Sequence, residues 1–144
     1  MKHLLFLTFM LSAVMPEVKS QSNMEKQNVE NVVRRFIHGA DARDIRQVDA
    51  VLNVNFRAVI NRLFGGEDLS IMTKDLYLDL LKNGKIGGDQ RQIEFLMTDI
   101  VGNYAVVKAK FKGKELLFTN YILLIRTIDN EWLMVTDLPH VEKP

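Results

Sequence analysis

The sequence contains no cysteine, and this absence excludes several classes of protein and site. Disulfide cross-links, a lipid-anchored cysteine and thiolate metal ligands all require the missing side chain. The fold must therefore be held by a packed core. Apolar residues make up 47% of the 144 residues, which is enough for one compact domain and argues against a disordered chain.

The sequence also lacks a long hydrophobic run. The uncharged apolar run from Leu4 to Val14 has 11 residues, whereas a bilayer-spanning helix needs about 20. It follows Lys2 and is followed by small residues at Val18 and Ser20. This three-part pattern predicts a secretory signal over residues 1–20, cleaved before Gln21, and one exported domain over residues 21–144, periplasmic or secreted. The alternative is a buried N-terminal helix.

Neither sign of charge dominates the chain. Removing Lys2, Lys19 and Glu17 with the signal from the 19 basic and 18 acidic residues leaves 17 of each sign. The two signs are also interleaved along the sequence. Proteins that bind nucleic acids concentrate positive charge on one face, so we expect no nucleic-acid partner.

Three amphipathic helices are predicted in the first half of the chain. In the first helix, apolar residues recur at the three- and four-residue spacing of one buried face. Those residues are Val29, Val32, Val33, Phe36, Ile37 and Ala40. Asp44, with Gln47 three residues later, forms the capping-box pattern that begins a short second helix. Thr73 is the predicted N-cap of the third helix, and Asn83-Gly84 ends it because glycine accepts the left-handed conformation.

After residue 88 the apolar pattern changes to alternation, which predicts strands. The predicted strands here are Gln92–Val101, Tyr104–Phe111, Glu115–Ile128 and Glu131–Leu138. The short turns between them require antiparallel neighbours. An earlier strand is predicted over Asn55–Asn61, with a brief strand at Ile71. The fold class is therefore α+β: three N-terminal helices packed on a curved, mostly antiparallel sheet that encloses a cone-shaped cavity.

Two stretches resemble a known group of proteins. "VVRRFIHGADARDIRQVDAVLNVNFRAVI" and "FTNYILLIRTIDNEWLMV" are similar to the nuclear transport factor 2-like superfamily, and within it to the lumazine-binding and SnoaL-like proteins. The second stretch follows the family pattern of aromatic-Thr-acid-Tyr, Leu-Leu and Asp-Gly-x-Trp, with Asn120 replacing the acid and Asn130 the glycine. The resemblance covers about residues 28–141. It implies the fold but not the function, because this fold hosts isomerases, cyclases, dehydratases and binding domains.

One relative in the superfamily gives a specific comparison. Ketosteroid isomerase needs an Asp base, together with a Tyr and a protonated Asp that stabilise the dienolate. Its pattern, laid on this sequence, places the Tyr at Phe36, the base at Asn61 and the second acid at Leu124. All three chemical groups are absent. The resemblance therefore implies that the chain does not catalyse that isomerisation.

The same comparison predicts the lining of a pocket. If Leu124 faces the interior, alternation brings its neighbours at every second position to the same side. The predicted pocket residues are Phe36, Val59, Asn61, Tyr77, Val107, Ala109, Phe118, Asn120, Ile122, Leu124, Leu133 and Val135. Such a mostly apolar pocket with a few polar groups suits a small apolar or aromatic molecule.

The polar residues of this wall are the candidates for chemistry. Asp137 is the ionisable acid of the predicted inner wall and hence the candidate catalytic residue, because desolvation would raise its pKa. Its alternative position is the solvated mouth of the cone. Asn61 and Asn120 either orient a ligand or satisfy backbone groups, and Tyr77 lies either in the core or over the pocket. No three His, Asp or Glu residues show metal-ligand spacing, so we expect neither a metal nor a cofactor.

These observations favour an exported small-molecule-binding domain whose ligand the sequence does not specify. The alternatives are a SnoaL-like enzyme of isomerase, cyclase or dehydratase type that uses Asp137, and a structural or protein-interaction domain whose own side chains fill the cavity. A homodimer through the outer sheet face is also predicted, because the residues opposite the pocket form an apolar surface, and the resemblance points the same way. Those residues are Tyr104, Val106, Tyr121, Leu123 and Ile125, interrupted by Lys108 and Lys110.

Overall fold

The computed structural model describes residues 16–143. Its helices are α1 (Pro16–Ala42), α2 (Ile45–Asp49) and α3 (Lys74–Lys82). Its strands are β1 (Leu52–Asn61), β2 (Leu69–Thr73), β3 (Gln92–Val101), β4 (Tyr104–Lys112), β5 (Leu117–Arg126) and β6 (Trp132–Glu142), and a 3₁₀ turn spans Leu63–Gly65. Most of the predicted signal segment, residues 1–15, lies outside the described residues. No helix within residues 16–143 has the length and hydropathy of a membrane span.

The predicted helix ends are confirmed by their capping contacts. The Asp44 side chain accepts a hydrogen bond from the backbone N–H of Gln47 at 3.1 Å, which satisfies a free donor at the start of α2. Thr73 does the same for α3 by accepting from the N–H of Leu76 at 3.3 Å. Helix α3 ends before Gly84, whose φ of 68° is the left-handed conformation expected after a helix.

Helix α1 is longer than its apolar pattern indicates. Among residues 21–42 of this helix the first fully buried side chain is Val29, and residues 21–28 before it are exposed apart from the half-buried Glu25. Periodicity reveals only the part of a helix that packs against something. The apolar stripe therefore predicted the packed half of α1 and missed the solvated half.

The six strands of the described chain form one sheet in the order β2-β1-β6-β5-β4-β3. Strands β3 to β6 form the predicted antiparallel meander, and the brief strand expected at Ile71 is β2. Strands β1 and β6 are parallel neighbours. The class is therefore α+β, with a mixed and mostly antiparallel sheet.

The core of the described chain joins α1 to the inner face of this sheet. Phe36 of α1 contacts the rings of Phe56 and Tyr77, with centroid distances of 6.1 and 5.4 Å. Phe111 and Ile122 are fully buried on β4 and β5. Because the inner residues of the strands alternate with exposed ones, this face of the sheet defines where an interior site can lie.

Candidate functional site

A cavity of about 390 Å³ lies between the helices and the inner face of the sheet. Three of its aromatic residues are Phe36 on α1, Tyr77 on α3 and Phe118 on β5, and the fourth is Phe64 in the 3₁₀ turn. Ala58, Ile60, Met72 and Ile86 add apolar surface. The remaining lining residues are Ile37, Leu63, Lys85, Gly87, Asp89, Arg91, Leu116, Asn120, Asp137, Pro139 and Val141.

Two polar side chains in this lining are bonded to each other. Asn120 Nδ2 donates a hydrogen bond of 2.7 Å to Asp137 Oδ1. Their exposed fractions are 3% and 5%, and they are the two buried polar residues of the described chain. Strands β5 and β6 pair side by side, which places both side chains on the inner face. The cavity therefore has a hydrogen-bonding pair within an otherwise largely apolar enclosure.

The environment of Asp137 changes its acidity. Burial disfavours the carboxylate and raises the pKa of Asp137 to about 7, although the hydrogen bond from Asn120 and the nearby charge of Arg91 act in the opposite direction. Near neutral pH the side chain is therefore divided between its carboxylic acid and carboxylate forms. Such a group is able both to give and to accept a proton, or to hydrogen-bond a ligand in either state.

One of the two cationic side chains in the lining, Arg91, already has a charged partner, and the other is Lys85. Arg91 Nε lies 2.6 Å from Asp41 Oδ1, and the backbone N–H of Arg91 donates to Asp41 Oδ2 at 2.9 Å. The Arg91 guanidinium also lies 5.6 Å from the ring centroid of Phe118. This pairing leaves the Arg91–Asp41 group close to electrical neutrality. Arg91 therefore forms part of the cavity wall, and its charge is balanced by that of Asp41.

Tyr77 remains a hydroxyl at every physiological pH. Burial raises the pKa of its phenol, and the negative charge of Asp137 adds to that shift. Both residues line the same cavity. Tyr77 is consequently a hydrogen-bond donor and acceptor at the cavity, not a base.

Five of the predicted site residues come together in the structure. Phe36, Tyr77, Phe118, Asn120 and Asp137 all line the cavity. Four further predicted residues face the interior but belong to the packed core rather than to the cavity surface. They are Val107, Ala109, Ile122 and Leu124.

The prediction for β1 was displaced by one residue. Asn61 is exposed and Val59 lies on the face away from the cavity, whereas Ala58 and Ile60 line it. A shift of one position reverses the face of every side chain in a strand. Phe56, Ala58 and Ile60 alternate with more polar neighbours, and this pattern indicates the correct inner face of β1. The comparison with ketosteroid isomerase instead assigned Asn61 to that face.

A β-bulge explains the displacement of two other predicted residues. Leu124 pairs with Met134 while Leu123 pairs with Thr136, so β6 has one extra residue at Val135. Before the bulge Trp132 and Met134 are buried, and after it Asp137 is buried. Leu133 and Val135, predicted to lie beside Asp137 at the pocket, are therefore absent from the cavity lining. Pro139 and Val141, two and four residues after Asp137, line it instead.

Sequence reasoning missed the part of the lining that comes from loops. Ile86, Gly87, Asp89 and Arg91 all lie between α3 and β3. Periodic patterns identify helices and strands but give no position for such a segment, and the distant Asp41 partner of Arg91 has no local signal. Within residues 16–143, no three His, Asp or Glu side chains cluster as metal ligands.

Comparison with known proteins identifies relatives by sequence and by structure. Residues 24–138 match the family described as "Putative lumazine-binding". No curated protein matches the chain. A nuclear transport factor 2-like protein of Shewanella baltica has 14% identity and a TM-score of 0.73, with 85% of this chain and 97% of the other covered.

Two further solved structures share the fold. A ketosteroid isomerase-like protein of Erwinia carotovora has 13% identity and a TM-score of 0.68, and the match covers 85% of this chain and 99% of the other. A protein of Nostoc punctiforme with a cystatin-like fold has 11% identity and a TM-score of 0.66, with 83% and 92% covered. At these identities the likeness is one of fold.

Proposed function

The chain belongs to the family described as "Putative lumazine-binding", within the nuclear transport factor 2-like superfamily, and we propose that it is an exported domain that binds a small apolar or aromatic molecule. The observation that carries this proposal is the cavity of about 390 Å³ with four aromatic residues and one buried polar pair in its lining. Small-molecule sites are typically pockets of roughly 300–1,000 Å³ with a few polar groups.

The distribution of polarity supports a binding role. Phe36, Tyr77 and Phe118 provide apolar contact area, and the Asn120–Asp137 pair provides direction through hydrogen bonds. In a structural or protein-interaction domain, those three aromatic residues would close the interior, and the protein's own side chains would fill it. Here the three rings line an open volume instead, which favours ligand binding over the structural or protein-interaction alternative.

Mass spectrometry of the small molecules released from the native exported protein is the test that identifies the ligand. A fluorescence titration then measures the binding of lumazine, the compound that the family description suggests. We expect a bound molecule at a substantial fraction of one per chain. Ala58→Phe, which fills the cavity, should abolish its retention. Val59→Phe is the matched control, because it adds the same ring at the next residue on the opposite face.

A native protein that releases no small molecule and does not bind lumazine would contradict the proposal. So would a folded Ala58→Phe variant that retains the same molecule as the wild type, because that molecule would lie elsewhere.

Catalysis of SnoaL-like type is the alternative function, and the near-neutral pKa of the buried Asp137 is the observation that favours it. The ketosteroid isomerase positions do not support that particular reaction: Phe36 lacks a hydroxyl, Asn61 is exposed and Leu124 lies in the core. In an enzyme, Asp137→Asn should slow turnover by about 100-fold or more. In a binding domain it should change the affinity by only about 1–2 kcal/mol.

We also propose that the domain forms a homodimer through the outer face of its sheet. Tyr104 is 70% exposed, and Tyr121 and Leu123 are 43% and 40% exposed on the adjacent strand. Val106 and Leu123 pair directly across β4 and β5, which makes the apolar surface continuous. Lys108 lies 5.1 Å from the Tyr121 ring centroid, so its ammonium group covers part of this surface.

A further inference from the structure

One wall of the cavity is a loop with little apolar packing of its own. It runs between α3 and β3 over residues 83–91, and Ile86 is its one apolar side chain apart from glycine. Its residues in the cavity lining are Lys85, Ile86, Gly87, Asp89 and Arg91. Ile86 is half-buried, and burial of a single aliphatic side chain holds a segment of this length weakly. Polar contacts must therefore determine where the loop lies.

A single side chain at the end of α1 contacts the middle of this loop. The Arg43 guanidinium faces three backbone carbonyl groups. Its Nη2 donates to the Gly87 oxygen at 3.2 Å and to the Gly84 oxygen at 3.5 Å, and its Nε donates to the Ile86 oxygen at 3.4 Å. A guanidinium carries its N–H donors in a rigid fork, so one arginine can satisfy several acceptors at once. Within the described residues, no other side chain hydrogen-bonds residues 84–88.

The fit between Arg43 and the loop leaves no space for a side chain on Gly88. The Gly88 N–H donates to the Ala40 oxygen of α1 at 3.1 Å, and the φ of Gly88 is 83°. A Cβ at this position would lie 2.5 Å from Arg43 Nη2 and 2.6 Å from Arg43 Cζ. Nonbonded heavy atoms contact favourably at about 3.5–4.0 Å, so the guanidinium is in direct contact with the loop backbone. Arg43 is absent from the cavity lining, and it therefore acts on the cavity only through the loop.

The backbone of Arg43 has a conformation that favours glycine. Arg43 is the first residue after α1, and its φ of 54° lies in the left-handed region. Helices commonly end with glycine in this conformation, because a Cβ makes it less favourable. An arginine here therefore carries a backbone strain that glycine would avoid. The contacts of its guanidinium with the loop offset this strain.

The far end of the loop is attached separately. Arg91 is bonded to Asp41 of α1, and Asp89 accepts a hydrogen bond from the backbone N–H of Lys114 at 3.2 Å. The near end of the loop follows α3 directly. Removal of the Arg43 guanidinium therefore releases the middle of the loop, while both ends stay attached.

We propose, on the basis of the binding function proposed above, that Arg43 is a positioning residue for the ligand. It touches no ligand itself, and it holds residues 84–88 so that Ile86 and Gly87 form a fixed part of the cavity wall. Without this contact the buried interior stays folded, but the wall no longer has one position. The cavity then retains a ligand less tightly.

The substitution Arg43→Gly separates positioning from stability. Glycine removes the guanidinium contacts but also relieves the left-handed backbone, so the two effects on stability oppose each other. We expect the urea midpoint of the purified exported protein to remain within about 0.5 M of the wild-type value. An arginine with a merely structural role would lower the stability and leave the affinity of the folded protein unchanged.

The affinity is measured with N-phenyl-1-naphthylamine, an uncharged probe that fluoresces in apolar surroundings. Its dissociation constant should rise by about tenfold or more in Arg43→Gly. Loss of the fluorescence in Ala58→Phe, which fills the cavity, locates the probe there.

Amide hydrogen exchange reports the position of the loop without any ligand. The Gly88 N–H, which is bonded to Ala40, should exchange faster in Arg43→Gly by about tenfold or more. The N–H of Ile122 in β5 should keep its wild-type rate, because both strands beside it are unchanged. Asn130→Gly is the matched control, since the φ of Asn130 is also left-handed at 62° and none of the lining residues within 16–143 comes from the turn between β5 and β6. It should alter neither the exchange of Gly88 nor the affinity for the probe.

Equal probe affinity in the wild type and Arg43→Gly would overturn the inference, and so would a parallel loss of affinity and urea stability. If Arg43→Gly does not fold, Arg43→Lys decides. Its single ammonium group cannot reach the three carbonyls together, so its dissociation constant should exceed that of the wild type by about threefold or more, and wild-type affinity would contradict the positioning role. A wild-type protein that does not bind the probe would also overturn the inference, while mass spectrometry of the native ligand decides the proposed binding function separately.

Discussion

Asn120 and Asp137 are joined by a hydrogen bond of 2.7 Å that runs diagonally between two neighbouring strands. Asn120 lies opposite Pro139 in the register of β5 and β6, and Asp137 lies opposite Ile122. The bond therefore links two side chains on the inner face instead of a directly opposed pair. It places an ionisable carboxyl inside the fold with a neutral partner, so the stability of the domain depends on the charge of Asp137.

The first prediction concerns the pH dependence of stability. The pKa of Asp137 rises from its ordinary value of 3.8 to about 7 on folding. Below pH 4 Asp137 is protonated in both the folded and the unfolded protein, so its ionisation does not lower the free energy of unfolding. Between pH 4 and pH 7 only the unfolded form ionises, and the free energy of unfolding falls by up to about 4 kcal/mol. Asp137→Asn should remove this loss.

Urea denaturation of the wild type and Asp137→Asn at pH 4.5, 6 and 8 measures the effect. The variant should gain stability relative to the wild type as the pH rises, with the difference levelling off above pH 7. Other titrating groups affect both proteins equally, so the difference isolates Asp137. A difference that stays constant from pH 4.5 to pH 8 would show that Asp137 has an ordinary pKa in the folded state.

The second prediction concerns the amide that holds this carboxyl. The hydrogen bond from Asn120 favours the charged form of Asp137 and so lowers its pKa. Asn120→Leu should raise the pKa of Asp137 further above 7 and reduce the free energy of unfolding by about 1–3 kcal/mol, because Asp137 Oδ1 loses its partner. The carboxyl ¹³C chemical shift of Asp137 as a function of pH reports the pKa. An unchanged value in Asn120→Leu would contradict the assigned role, and Thr119→Ala serves as the control.

Local signals in the sequence were sufficient for most of the fold. Asp44 and Thr73 act through hydrogen bonds to residues three positions away, and this is why both helix starts were predicted correctly. The antiparallel meander followed from alternation and short turns. The parallel pairing of β1 with β6 was not predicted, because it joins segments about 80 residues apart and has no local pattern.

The site was less predictable than the fold for two physical reasons. The bulge at Val135 reverses the inward and outward faces within a single strand, so a strict alternation was correct for Asp137 and incorrect for Leu133. The contact of Arg91 with Asp41 depends on how a loop lies against α1, at a sequence separation of 50 residues. Hydrophobic patterning carries no information about either feature.

The third prediction concerns export. Cleavage after Ser20 would leave α1 to begin at Gln21, and Val29, the first fully buried residue from that point, follows eight residues later. Removal of residues 1–20 therefore leaves the described core intact. N-terminal sequencing of the exported protein should begin at Gln21, whereas Ser20→Tyr should block cleavage because the peptidase requires a small residue there. Recovery of intact Met1 in the mature wild-type protein would contradict export by this route.

The fourth prediction concerns the outer face of the sheet. Leu123→Glu places a charge in the middle of the surface formed by Tyr104, Val106 and Tyr121, so it should convert the proposed dimer to a monomer. Val54→Glu is the control, since Val54 is 77% exposed and lies on β1, away from β4 and β5. Sedimentation velocity at micromolar concentration distinguishes the two states. A wild-type monomer under those conditions would count decisively against the dimer.

The last prediction concerns the loop that contributes Gly87 to the cavity. Gly87 has a φ of 70°, and an added Cβ would overlap the carbonyl oxygen of Ala40 and the side chain of the buried Leu81. Gly87→Ala should therefore lower the free energy of unfolding by about 3 kcal/mol or more, since backbone strain and steric overlap act together. Gly102 is the matched control, because its φ of 59° is equally left-handed but a Cβ there meets no atom within 4 Å. Gly102→Ala should therefore lower the free energy of unfolding only through backbone strain, by about 1–2 kcal/mol. Chemical denaturation of both variants gives the comparison, and equal losses would show that the loop does not pack closely against α1 and α3 at Gly87.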